Sequence, residues 1–164
     1  MTMAQHAEHI TKALLVFGPL YSGWLTQQLP VEYQNVRARL MVMLMHTPQM
    51  QMRYYARLLG ISKAHMTKLV EECTQSELMV RTVDAHDRRA SQLVLTASGM
   101  NVATQIWSHY VAQTATILDT IPVAQREVFL AVCVQLTERM HAMGCGSGMH
   151  LCGQTQLPET DEEM

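Results

Sequence analysis

The sequence of 164 residues predicts a mainly α-helical fold carrying one two-stranded hairpin. Three observations lead there. Apolar residues recur at i, i+3, i+4, i+7 over most of the chain, which is the spacing of a helix with one buried face. One stretch, Leu78 to Leu95, departs from that spacing: two short β-branched runs flank a polar tip. Prolines 30, 48 and 122 fall between the periodic segments and mark their ends.

In chain order, residues 4 to 28 form a first helical stretch, with Ile10, Leu14, Phe17, Tyr21, Trp24 and Leu25 at helical spacing. Gly18-Pro19 interrupts it, so a kink or break is expected there. Val36 to His46 is a second helix directing Leu40, Met43 and Leu44 to a core, stopped by Thr47-Pro48. Met52 to Leu59 is a short helix with Tyr55, Ala56 and Leu59 inward and Gly60 at the following turn. Methionines 41, 43, 45, 50 and 52, with His46, are soft donors of the kind Cu(I) prefers. Alternate positions on a helix do not face one another, however, and methionine is a routine core filler, so core is the reading preferred.

Ser62 is a good N-cap for the next helix, which runs without Gly or Pro. Met66, Leu69, Val70 and Cys73 share one side of it; Ala64, Thr67, Lys68 and Glu71 share the other. The second face has small and polar side chains near the helix start, with Lys63 and Lys68 at its edges. Small residues allow close approach, threonine can bond base or phosphate, and lysines neutralise phosphates, which suits entry into a DNA major groove. An ordinary solvated helix face would look much the same. The hairpin shifts the balance, because a helix followed at once by two strands with a basic tip (Asp87, Arg88, Arg89) is a winged helix-turn-helix. An arginine at such a tip suits the strongly negative minor groove.

These residues resemble the MarR family of bacterial transcription regulators. The family's wing signature, Asp-X-Arg-X3-(Val/Leu)-X-Leu-Thr, is matched by Asp87, Arg89, Leu93, Leu95 and Thr96. Leu58 to Ser62 and Thr67 to Val70 are similar to its turn and recognition helix. The likeness is close over residues 36 to 100 and extends to the flanking helices in pattern. It implies that Asp87 braces Arg89 by a charge-assisted hydrogen bond, and that the N-terminal apolar stripe packs on a second subunit. It further implies that Trp24, Tyr33 and Arg37 line a cleft for small aromatic acids. Glu77 departs from the pattern, since the family has glycine at the end of this helix. A left-handed cap is costly for a side chain with Cβ, so the helix is expected to end differently or run longer.

Beyond the wing, Ala97 to Leu118 is a long helix with Val102, Ile106, Tyr110 and Ile117 inward. Val123 to Met143 follows, with Phe129, Val132, Cys133, Leu136, Met140 and Met143 on one face. Cys73 and Cys133 both lie on apolar faces and read as packed thiols. Together with the N-terminal helix, these long helices carry more apolar surface than one small module can cover, which makes a dimerisation frame. The expected organisation is an N-terminal dimerisation helix (1–30), a winged helix-turn-helix DNA-binding module (31–96), C-terminal dimerisation helices (97–144) and an acidic tail containing Cys and Gly (145–164).

Composition permits this reading. The formal charge is −2, but Glu159, Asp161, Glu162 and Glu163 lie in the tail, leaving twelve bases against ten acids elsewhere. DNA meets the local field and not the total. No apolar run reaches the ~18 residues of a membrane span, and the start is no signal peptide. Four cysteines without a secretion signal fit reduced thiols in a cytoplasm. No phosphate loop, nucleophile elbow or zinc-protease motif is present, so a non-enzyme is expected.

In the tail, Cys145, His150 and Cys152 sit in a glycine-rich run with Met149. Such donors suit Zn or Cu(I), a reversible disulfide, or nothing at all, and their spacing matches no standard zinc pattern. The expected protein is a cytoplasmic homodimer binding a pseudo-palindromic operator in double-stranded DNA. Its base and phosphate contacts are Ser62, Lys63, Ala64, Thr67, Lys68, Asp87, Arg88 and Arg89. It would be a repressor released by a metal, redox or small-molecule signal. The alternative from another class is a helical protein-interaction module without DNA binding.

Overall fold

The computed structural model describes residues 2–48, 50–83 and 91–143. Among them are six α-helices and one antiparallel pair of strands: α1 (Met3–Gln27), α2 (Val36–His46), α3 (Met52–Leu59), α4 (Lys63–Gln75), β1 (Met79–Val83), β2 (Ser91–Leu95), α5 (Ala97–Leu118) and α6 (Val123–Ala142). A 3-10 turn, Val31–Tyr33, links α1 to α2.

Caps set most of the boundaries. Thr2, Asn35, Ser62 and Thr96 each accept a hydrogen bond from a backbone N–H of the first turn they precede. Gly60, at φ 67°, closes α3 in the left-handed region that glycine enters without strain.

The main core gathers Leu40, Met41 and Leu44 of α2, Tyr55, Ala56 and Leu59 of α3, Met66, Leu69, Val70 and Cys73 of α4, Met79 and Leu93 of the strands, and Ala103 of α5. Met50 is buried with them, and Met43, Met45 and Met52 pack against them, so these methionines fill the core as the spacing suggested. The Tyr55 hydroxyl closes the α2–α3 turn, donating to the Thr47 carbonyl at 2.5 Å and accepting from the Met50 N–H at 3.3 Å. A smaller cluster of Leu29, Ala38, Val42 and Ile106 joins α2 to α5.

Four expectations are corrected. Of the kink or break expected at Gly18-Pro19, the break does not occur: α1 runs continuously through Pro19. Proline removes one ladder bond, and on a helix this exposed the freed carbonyl can bond water. Ile117 of α5 is exposed, because only the first half of α5 lies on the core. Cys133 is exposed as well, although Phe17 of α1 meets Phe129 one turn earlier on the same face of α6.

The fourth correction concerns the end of α4. Glu77 adopts φ 55° itself. The Leu78 N–H bonds the Cys73 carbonyl at 2.9 Å and the Glu77 N–H bonds the Thr74 carbonyl at 3.0 Å, a Schellman cap built without glycine. Tertiary bonds hold it there: the Thr96 hydroxyl donates to the Glu77 carbonyl at 2.6 Å and the Thr96 N–H to the Leu78 carbonyl at 3.1 Å. A left-handed non-glycine residue costs about 1–2 kcal/mol, partly offset in a glycine variant by its freer unfolded chain. Glu77→Gly is therefore expected to stabilise the protein by about 0.5–1 kcal/mol, a rise of roughly 1–3 °C in thermal midpoint. A fall in the midpoint would contradict this account of the cap.

Candidate nucleic-acid interface

The interface is built on α3, α4 and the hairpin. Three residues, Gly60, Ile61 and Ser62, separate the two helices. The Gly60 and Ile61 N–H groups bond back to the Arg57 and Ala56 carbonyls at 3.1 and 3.0 Å, which fixes the exit from α3. Ser62 then caps α4, its hydroxyl accepting from the His65 N–H at 3.2 Å. Met66, Leu69, Val70 and Cys73 are buried against the core, so helical geometry turns Ala64, Lys68 and Glu71 outward, and all three are exposed. Lys63 is exposed beside them and Thr67 is half-buried.

This face is only lightly engaged within the chain. Lys68 Nζ lies 3.9 Å from the Glu72 carboxylate, with 77% of its own side chain exposed. A surface pair of this kind is worth at most about 1 kcal/mol, so the ammonium remains available to a phosphate. The Thr67 hydroxyl donates to the Lys63 carbonyl at 3.0 Å. Behind the helix, burial pushes the Cys73 thiol up to about 11, with the positive charge of Arg37 opposing part of that rise. This thiol is packing and not a nucleophile.

The strands pair Met79 with Leu95 through to Val83 with Ser91. A further bridge, Gln51 to Gln92, ties the start of α3 to β2, a connection that polar glutamines gave no reason to expect. Asp87, Arg88 and Arg89 lie outside the described residues, as do Cys145, His150 and Cys152.

The three residues expected to line a cleft each make their own contacts. Trp24 stacks on Tyr21 with ring centroids 6.4 Å apart, and Tyr21 in turn bonds Thr114 Oγ1 at 2.8 Å. Tyr33 packs on the smaller cluster and donates to Gln105 Oε1 at 3.4 Å. Arg37 sits at the start of α2, close enough for its charge to act on Cys73. No hydrogen bond, ion pair or ring contact among the described residues joins these three. Nor does any group of three His, Cys, Asp or Glu side chains among them sit where it could hold a metal ion.

Away from this interface the chain leaves a large apolar surface. Leu14, Leu15, Val16 and Leu20 of α1 are 50–71% exposed. On α6 Val128, Phe129 and Leu130 are 50–63% exposed. Phe17 meets Phe129 edge-on at 6.1 Å, which brings the two helices together. No described helix is long and apolar enough to cross a membrane.

No family model and no curated protein matches the sequence. Solved structures do match. A transcriptional regulator of the MarR family from Silicibacter pomeroyi is 18% identical, with a TM-score of 0.62, over 76% of this chain and 87% of its own. RV1404 of Mycobacterium tuberculosis is 24% identical, with a TM-score of 0.55, over 84% and 94%. The PcaV transcriptional regulator of Streptomyces coelicolor, in complex with its natural ligand, is 16% identical, with a TM-score of 0.51, over 84% and 96%. The chain has the winged-helix fold of the MarR-family regulators.

Proposed function

We propose that this protein is a dimeric, sequence-specific DNA-binding transcription regulator, a repressor released by a signal. The observation that carries the reading is the division of α4. One face is spent on the core, and the other presents Ala64, Thr67, Lys68 and Glu71, with Lys63 beside them, on a capped helix that follows a tight turn. In this reading the N-terminal half of α4 enters a major groove and Arg89 takes the flanking minor groove. The fold shared with transcriptional regulators supports it. The uncovered apolar residues of α1 and α6 support a two-fold dimer, since monomers rarely leave so much contiguous apolar surface in water.

For the signal, two donor sets remain. Cys145, His150 and Cys152 suit Zn, Cu(I) or an oxidant. Arg37 suits an organic anion, being half-buried and without an ion-pair partner among the described residues. PcaV, which shares the fold, was solved with a natural ligand. Either signal acts only by binding DNA-fitting and non-fitting dimers unequally.

The test is binding to the protein's own promoter across a salt series. Arg89→Ala should weaken specific binding by about 1–3 kcal/mol while leaving the thermal midpoint unchanged. Lys68→Ala should weaken binding to every sequence and flatten the salt dependence by about one unit of slope. Arg89→Ala binding like the parent would remove the wing from the interface. Binding that is absent, or indifferent to salt, would favour a helical protein-interaction module instead.

A further inference from the structure

The outward stripe of α4 offers a groove fewer polar readers than its sequence suggests. Ala64 contributes only a methyl group, one turn before Thr67. The two lysines end in flexible ammonium groups at the edges of the stripe, suited to phosphates more than to base edges. Thr67 stands near the middle of the approach, with the exposed His65 and Glu71 before and after it along the helix. Its hydroxyl hydrogen is already committed, because Oγ1 donates to the Lys63 carbonyl at 3.0 Å. A helical threonine favours this bond back to the preceding turn, and giving it up means rotating a stiff β-branched side chain. With Oγ1 held toward the helix backbone, the Cγ2 methyl is the part left to meet a ligand.

We infer that Thr67 reads the C5-methyl group of a thymine through its own methyl group and so sets an A·T pair in each half-site. The assignment rests on the DNA-binding reading above and deepens it by naming the base. Among the four bases only thymine carries a methyl in the major groove, and an apolar contact there distinguishes it without any donor. The small side chain of Ala64 lets α4 come close enough for that contact.

The probe is a duplex enriched by the full-length protein from a randomised pool, with thymines replaced one at a time by deoxyuridine to remove the C5-methyl alone. At one thymine per half-site the replacement should weaken binding about fourfold, the worth of one buried methyl-sized group. Thr67→Ser, which keeps the hydroxyl and loses the methyl in both subunits, should weaken binding to the thymine duplex about sixteenfold, fourfold for each half-site. It should then no longer distinguish thymine from uracil. Thr67→Val, which keeps the methyl and loses the hydroxyl, should retain both affinity and discrimination.

The assignment is overturned if Thr67→Ser binds and discriminates like the parent, or if Thr67→Val loses tenfold or more, since the hydroxyl would then be the reader. Enrichment of a sequence whose binding ignores every uracil replacement overturns the thymine contact and leaves DNA binding standing. A pool that enriches nothing and shows no saturable binding overturns both.

Discussion

Gly99→Ala is expected to destabilise the protein by about 3–4 kcal/mol, a fall of roughly 10 °C in thermal midpoint. A Cβ at Gly99 would come within 2.8 Å of the Leu78 carbonyl carbon and closer still to its oxygen. Both atoms are backbone, so no side chain can move aside. The same carbonyl accepts the Thr96 N–H, and the Thr96 hydroxyl both accepts from the Gly99 N–H at 3.0 Å and donates to Glu77. Pushing Leu78 away therefore strains the cap that ends α4 and the cap that starts α5 together. Gly23→Ala is the control: nothing lies within 4 Å of a Cβ there, and alanine is the better helix former, so its midpoint should hold or rise. Equal midpoints for the two variants in thermal denaturation would show that α5 is not packed this tightly on the end of α4.

The second large effect concerns assembly. Leu20→Asp combined with Leu130→Asp places a carboxylate at two positions 67% and 55% exposed in the single chain, where charge costs a monomer little. In the proposed dimer those positions lie on a frame burying well over ~2,000 Å², and unpaired carboxylates there oppose association. Light scattering should show the parent as a dimer and the variant as a monomer at micromolar concentration. Operator affinity should drop by at least about a thousandfold, the gap between two-half-site and non-specific binding. A parent that is itself monomeric, or a variant that stays dimeric, would remove this frame from the account.

Local rules made much of the fold legible. The bounds of α2 and α3 follow from apolar spacing, proline and glycine, and the four buried residues of α4 follow from a 3.6-residue period. What escaped depends on long-range contacts. Glu77 reads as a poor left-handed residue because propensity is local, whereas two bonds from Thr96 hold it in place. Gly99, inside a helix, carries no turn signal, and only the packed junction shows why a side chain is excluded. The Gln51–Gln92 bridge joins polar residues with no periodic pattern. Cys133 and Ile117 illustrate a different failure: an apolar stripe shows that a face needs cover, not whether this chain supplies it. In the site itself, the outward face of α4 was readable from spacing. The Thr67 hydroxyl was not, because a side chain's choice between backbone and ligand is a rotamer and leaves no mark on sequence.

In the proposed function two copies of α4 engage one duplex together. It is tested most directly by measuring the affinity of the dimer for its enriched palindromic duplex and for the same duplex with five base pairs inserted between the half-sites. Half-sites on one face of DNA lie about 10–10.5 base pairs apart, so five more turn the second groove to the far side. Two chains should bind each duplex, and affinity should be lower by at least about a hundredfold on the lengthened one, with the residual binding steeply salt-dependent. Equal affinity for the two duplexes would contradict it, whether one copy or two were bound.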